Sequence, residues 1–184
     1  MALEAAFRTL NTDLYSLRES LIALRTTSRE DKPLQDDAVL VDVFADAADD
    51  LLGWLEGALQ AAAEAQQSVA HPVDLNRAWR ALATCQERFQ YISQRFASDL
   101  VCYERIAELI RFGRRRGGEW QAWAASVRAA LNDCQQPLFD IGQAFFGCWQ
   151  EMGERLGMNS IAIQTTSIGS IGQLLSVPTS RDHT

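Results

Sequence analysis

An all-α fold is predicted for this chain: an antiparallel up-down-up-down four-helix bundle with long helices and an extended, uncharged C-terminal tail. Three observations predict it. Residues Leu3, Phe7, Leu10, Leu14, Leu17, Leu21 and Leu24 step by four and three in strict alternation, which puts all seven on one stripe of a helix. The stretch 74–112 carries a second stripe through Leu75, Ala78, Leu82, Cys85, Phe89, Ile92 and Phe96. Only four prolines interrupt 184 residues that are otherwise rich in good helix formers. A helix apolar on one side and charged on the other needs partner helices to cover it, and short loops between such helices imply a bundle.

The leucine seam predicts a first helix over 2–27, closing the bundle from within or zipping to a second copy. Pro33 and its polar neighbours then make a loop, after which Asp36 or Asp37 can cap the second helix. That helix runs to about residue 67, with Val39 or Leu40, Val43, Ala47, Leu51, Trp54 or Leu55, and Leu59 inward. Gly53 and Gly57, four apart, mark a close helix approach. Asp74 caps the third helix, with Val73 placed to staple onto its first turn.

Beyond Phe96 the stripe continues through Leu100, Tyr103, Ile106 or Ala107, and Ile110 after a one-residue phase slip, so one long helix is expected. Gly113, Gly117 and Gly118 break the chain. A fourth helix starts near Glu119, with Trp120, Trp123, Val127, Ala130, Cys134, Leu138, Ile141, Phe145, Cys148 and Met152 on one side. Pro137 should kink it rather than divide it, and Gly157 should end it. An antiparallel return brings Trp79 level with Trp149 and Cys85 level with Cys148. The chain thus divides into a helical bundle, 1–157, and a tail, 158–184.

A hydrophobic content of 47% with 22% charged residues is that of a folded domain, not of a disordered chain. The net charge of -7 repels phosphate, so nucleic acid is not the expected partner. No stretch approaches the roughly 18 apolar residues of a membrane span, and the polar, acidic N-terminus does not read as a signal peptide. A cytoplasmic location is expected. Cys85, Cys102, Cys134 and Cys148 have no CxxC spacing and no nearby histidine, which excludes the usual zinc patterns and suits reduced core thiols.

Asp42, Asp46, Asp49 and Asp50 crowd the second helix. Carboxylates so spaced can bind a divalent cation, and the DAADD run resembles the aspartate-rich metal motif of terpene synthases. No second metal motif accompanies it, so a solvated face is the reading adopted. The two histidines, His71 and His183, stand in no ExxH pair, which argues against carboxylate-bridged di-iron chemistry and most histidine-based catalysis. No catalytic, cofactor or metal residue is assigned, and an enzyme is the secondary reading.

Arg111, Arg114, Arg115 and Arg116 form a basic turn. It can grip an acidic partner, or it can compensate the helix dipole and the acidic Glu30, Asp31, Asp36 and Asp37. Trp120 and Trp123 beside it are core residues by their spacing and partner anchors by their type. From Leu156 through Ser180 there is no charged residue. Ile161, Ile163 and Thr165 alternate there as in an extended strand. Such a segment needs cover, either by folding back along its own bundle or as a docking peptide that adds to another protein's sheet or fills its groove. Within it the SIGSIGQLL run, with Ile168, Gly169, Ser170 and Ile171 at its centre, resembles the cargo-loading peptides of encapsulin shells. Gly172 stands where that family often has a basic residue.

The expected function is a non-catalytic protein-protein interaction module, an adaptor, accessory or structural component of a larger bacterial-type assembly. Contact is expected through Ile161, Ile163, Ile168, Gly169, Ser170, Ile171, Leu174 and Leu175, with Arg114, Arg115 and Arg116 as a second patch. The partner is a protein or a second copy, with neither nucleic acid nor membrane involved and no cofactor. The alternatives are a metal- or small-ligand-binding helical enzyme and an encapsulin-type cargo protein.

Overall fold

A computed structural model describes residues 2–29, 33, 39–70 and 73–157. Among them the chain is all-helical: α1 (Ala2–Arg29), α2 (Val39–Ser68), α3 (Leu75–Arg95), a π-helical turn (Phe96–Leu100), α4 (Tyr103–Arg116), α5 (Gly118–Asp133) and α6 (Gln135–Arg155). The capping residues Asp36 and Asp37, the acidic residues Glu30 and Asp31, and the whole tail lie outside the described residues. No helix among the described residues is long and apolar enough to cross a membrane.

Helix α1 is the centre of the packing, touching α2, α5 and α6. Its seam does this: Leu3, Phe7, Leu10, Leu14, Leu17, Leu21 and Leu24 are all completely buried within one copy of the chain. The seam is therefore taken up internally and is not left to zip to a second copy. Polar residues flank it toward α2. Asn11 Nδ2 donates to Gln66 Oε1 (2.7 Å), Arg18 pairs with Glu56 (2.7 Å), and Arg29 pairs with Asp46 (2.9 Å).

Helix α2 lies between α1 and α3, so it must bury two stripes. Leu40, Leu51, Leu55 and Leu59 are inside as expected, joined by Phe44 and Ala48, while Val43 and Ala47 are only half-buried. Trp54 stays outside at 38% exposure, with its ring 4.2 Å from that of Tyr91. Of the two glycines, Gly57 makes room for the Arg88 side chain, whereas nothing approaches Gly53.

The cap on α3 is as read from sequence, with Asp74 Oδ1 accepting from the Arg77 amide at 2.9 Å. Val73 remains exposed, so the expected staple is not closed. The long third helix is not continuous. At Phe96 the hydrogen bonding slips to the wider π pattern, with the Val101 amide donating to Phe96 O (3.2 Å), and Cys102 turns extended (φ -61°, ψ 152°). The one-residue slip in the apolar stripe is the imprint of this turn. Its consequence is that α4 restarts with a new phase: Leu109 and Gly113 are buried, and Tyr103 is 83% exposed.

The last segment is divided rather than kinked. Pro137 falls in the first turn of α6, and its missing N–H deprives the Asp133 carbonyl of an intrahelical donor. Ser20 Oγ of α1 reaches that carbonyl at 3.4 Å. The break lies at Cys134, after which α6 packs on α1 while α5 packs on α4 and α1. The apolar side runs through the break, with Trp120, Trp123, Val127, Ala130, Cys134, Ile141, Phe145, Cys148 and Met152 all buried. Helix α6 returns antiparallel along α3: Trp79 meets Trp149 edge-on at 4.5 Å, and Phe89 meets Phe145 at 5.5 Å. Gly157 ends the run at φ 66°.

One carboxyl of α1, that of Asp13, is unfavourably placed. Burial, and then the neighbouring Asp140, raise the Asp13 carboxyl above its ordinary value. An acid whose folded value is raised costs stability wherever it is ionised, that is above its folded value, and costs nothing below about 3.8, where both states are protonated. Asp13→Asn is thus expected to raise unfolding stability at pH 7 by roughly 0.5 kcal/mol, allowing for solvent screening, and to lose the gain below pH ~4. Urea titrations at the two pH values check it; equal effects at both would refute a raised Asp13 carboxyl.

Candidate functional site

The arginine turn is built by α4 and α5 packing face to face. Gly113 permits this, since a Cβ there would lie 2.9 Å from Ala124 Cβ and 3.3 Å from the backbone of Gln121 and Trp120. The reversal is completed by Gly117 at φ 67° and Gly118 at φ 48°, a region costly for other residues. Beneath it Phe112, Trp120 and Trp123 form an aromatic cluster with centroid separations of 5.2, 6.0 and 5.6 Å.

Both tryptophans belong to the core, at 8% and 3% exposure, so neither is a surface anchor. The indole N–H of Trp123 donates to the carbonyls of Thr27 and Ser28 at 3.2 and 3.3 Å, tying α5 to the end of α1. Of the three arginines, Arg116 is committed locally, its guanidinium over the Phe112 and Trp120 rings at 5.1 and 5.4 Å. Arg114 and Arg115 are exposed. A groove of about 590 Å³ follows α4 here, lined by Glu104, Glu108, Arg111, Phe112, Arg115 and Arg116.

The aspartate face is turned outward. Asp49 meets Arg25 (3.3 Å) and Arg29 (3.2 Å), and Asp46 meets Arg29, so these carboxylates are held by α1 arginines at the surface and do not line the interior. Among the described residues no group of three or more His, Cys, Asp or Glu is placed to hold a metal ion.

The buried thiols are unreactive. Burial pushes Cys85, Cys134 and Cys148 each up to about 12, and for Cys85 the facing Cys148 adds to it. A thiol is nucleophilic only as its thiolate, so these three pack as small apolar groups.

A second concavity was not anticipated. Asp46, Asp50, Arg95, Asp99 and Arg105 surround a cleft of about 320 Å³ with Val43, Ala47 and Leu51. The π turn brings them together. Arg95 pairs with Asp99 at 2.8 Å, and Arg105 both donates to the Asp99 carbonyl (3.2 Å) and pairs with Glu108 (2.9 Å). Arg105 thereby satisfies a helix-end carbonyl that the turn leaves without an amide partner. The phase slip after Phe96 was the available signal, but a linear sequence does not say which helix crosses there.

The tail residues Ile161, Ile163, Ile168, Gly169, Ser170, Ile171, Leu174 and Leu175 lie outside the described residues. Comparison of the chain with protein-family models, with curated proteins and with solved structures finds no match.

Proposed function

We propose that this chain is a non-catalytic protein-protein interaction module, an adaptor, accessory or structural component of a larger bacterial-type assembly, docking through the uncharged segment 159–177. In this reading the helices are four rods running up, down, up and down: α1, α2, α3 continued by α4, and α5 continued by α6. The antiparallel contacts Trp79–Trp149 and Phe89–Phe145 support the return of the last rod.

The observation that carries the reading is the completely buried seam of α1. The apolar faces of the helices satisfy one another, while the chain continues into a charge-free, isoleucine-rich stretch whose composition favours a covering partner. Arg114 and Arg115 offer a secondary contact to acidic groups. A cytoplasmic setting belongs to the same proposal, because four unpaired cysteines suit a reducing compartment.

Affinity capture with the full chain and with a chain ending at Gly157 tests it. The expected result is loss of at least about nine-tenths of the bound partner on truncation, a tenfold effect equivalent to ~1.4 kcal/mol. Equal recovery by both forms defeats the proposal. The resemblance to encapsulin cargo peptides favours a second, narrower reading. There, Ile168→Asp with Ile171→Asp in the full chain should lose capture by an encapsulin shell as completely as truncation does.

A further inference from the structure

We propose that the solvent face of α4 is a self-association surface, occupied by α4 of a second copy of this chain running antiparallel to it. Glu104, Glu108, Arg111 and Arg115 recur at four- and three-residue steps, and all four are exposed. They form one stripe along the groove of about 590 Å³, acidic in its first half and basic in its second.

The order of charges points to the occupant. Within α4, Glu104 and Glu108 are one turn apart, as are Arg111 and Arg115, so each half of the stripe repels itself. The dipole of α4 favours glutamates at its start and arginines at its end, and the like-charge crowding within each half is the cost that remains. A second copy laid antiparallel relieves both repulsions at once: the register that opposes Glu104 to Arg115 of the second copy also opposes Glu108 to its Arg111. By two-fold symmetry each pairing occurs twice. A parallel arrangement would face like with like. A uniformly acidic partner would gain at Arg111 and Arg115 and lose at the glutamates, so the graded stripe selects a partner graded in the opposite sense, and the chain itself supplies one.

The flanks of the stripe fit the same occupant. Tyr103 is the most exposed large apolar side chain among the described residues, at 83%, and in the antiparallel register it falls beside the basic end of the second copy. Ala107, in the middle, is small enough to let the two helices approach. Glu108 already holds Arg105 through Oε2 at 2.9 Å, which leaves its other oxygen for Arg111 of the second copy. The proposal uses no residue of segment 159–177 and does not rest on the reading of it.

Sedimentation velocity of the full chain at several protein and salt concentrations provides the test, with two charge-reversed variants: Glu104→Arg with Glu108→Arg, and Arg111→Glu with Arg115→Glu. The parent chain is expected to dimerise and to weaken as salt screens the pairs. Each variant alone should lose affinity by about tenfold or more, and an equimolar mixture of the two should recover it, because an all-basic stripe then meets an all-acidic one. Circular dichroism shows whether the variants keep their helices, and recovery in the mixture itself requires folded α4. A parent chain that stays monomeric at low salt overturns the proposal. So does a dimer that both reversals leave intact, or a mixture that fails to reassociate.

Discussion

Leu14→Ala is expected to destabilise the protein by about 3 kcal/mol, within the roughly 2–5 kcal/mol range for truncating a fully buried leucine side chain. Leu14 is completely buried at the centre of a seam that faces α2, α5 and α6. The cavity would open between several rigid helices, none of which can close it without losing its own contacts. Against a typical total of about 5–15 kcal/mol, this is a large fraction. Urea unfolding read by circular dichroism measures it. The loss should be independent of protein concentration, because the seam packs within one copy; a loss under about 1 kcal/mol, or one that varies with concentration, would show the seam used otherwise.

Gly113→Val should cost about 2–3 kcal/mol by overpacking. A Cβ there meets Ala124 Cβ at 2.9 Å and the α5 backbone at 3.3 Å, and neither neighbour is a flexible side-chain end that can swing aside. The strain would push α4 off α5 and disturb the Phe112–Trp120–Trp123 cluster, so a change in tryptophan fluorescence should accompany the loss. Ala124→Gly removes the nearest obstacle, and the double variant should recover part of the stability. Gly53→Ala is the contrasting case, since nothing stands within 4 Å and α2 is helical there. Alanine's better helix propensity should stabilise it by up to ~1 kcal/mol. If both substitutions behave alike, close approach of α4 and α5 is not what keeps glycine at 113.

The difference between these two glycines illustrates what a linear pattern conveys. Gly53 and Gly57 sit four apart, a spacing that reads as helix contact, yet only Gly57 is approached, by the flexible Arg88 side chain, and the close approach to another helix's backbone is at Gly113, whose sequence context reads as a turn. Spacing reports which residues share a face of their own helix; it does not report how near another helix comes. The same limit explains Pro137. Its effect on the backbone was legible, but whether the helix would bend or divide depended on α5 and α6 finding different neighbours. The slip after Phe96 was legible too. That it is a π turn followed by an extended Cys102, and so turns Tyr103 to solvent, follows from packing around that point. The cleft formed by Asp46, Asp50, Arg95, Asp99 and Arg105 joins α2 to the stretch 95–105 around the π turn, two parts of the chain far apart in sequence that no local pattern links.

Local sequence determined the helical class, the burial of the α1 seam, the Asp74 cap and the apolar side running from Trp120 to Met152. Each of these depends on residues within a few turns of one another, where helix geometry converts numbering directly into direction. Tertiary structure decided which helices meet, where the long segments break, and that Tyr103 is surface. Those outcomes depend on the shape left between helices once all of them compete for the same interior, a quantity that no single helix carries in its own sequence.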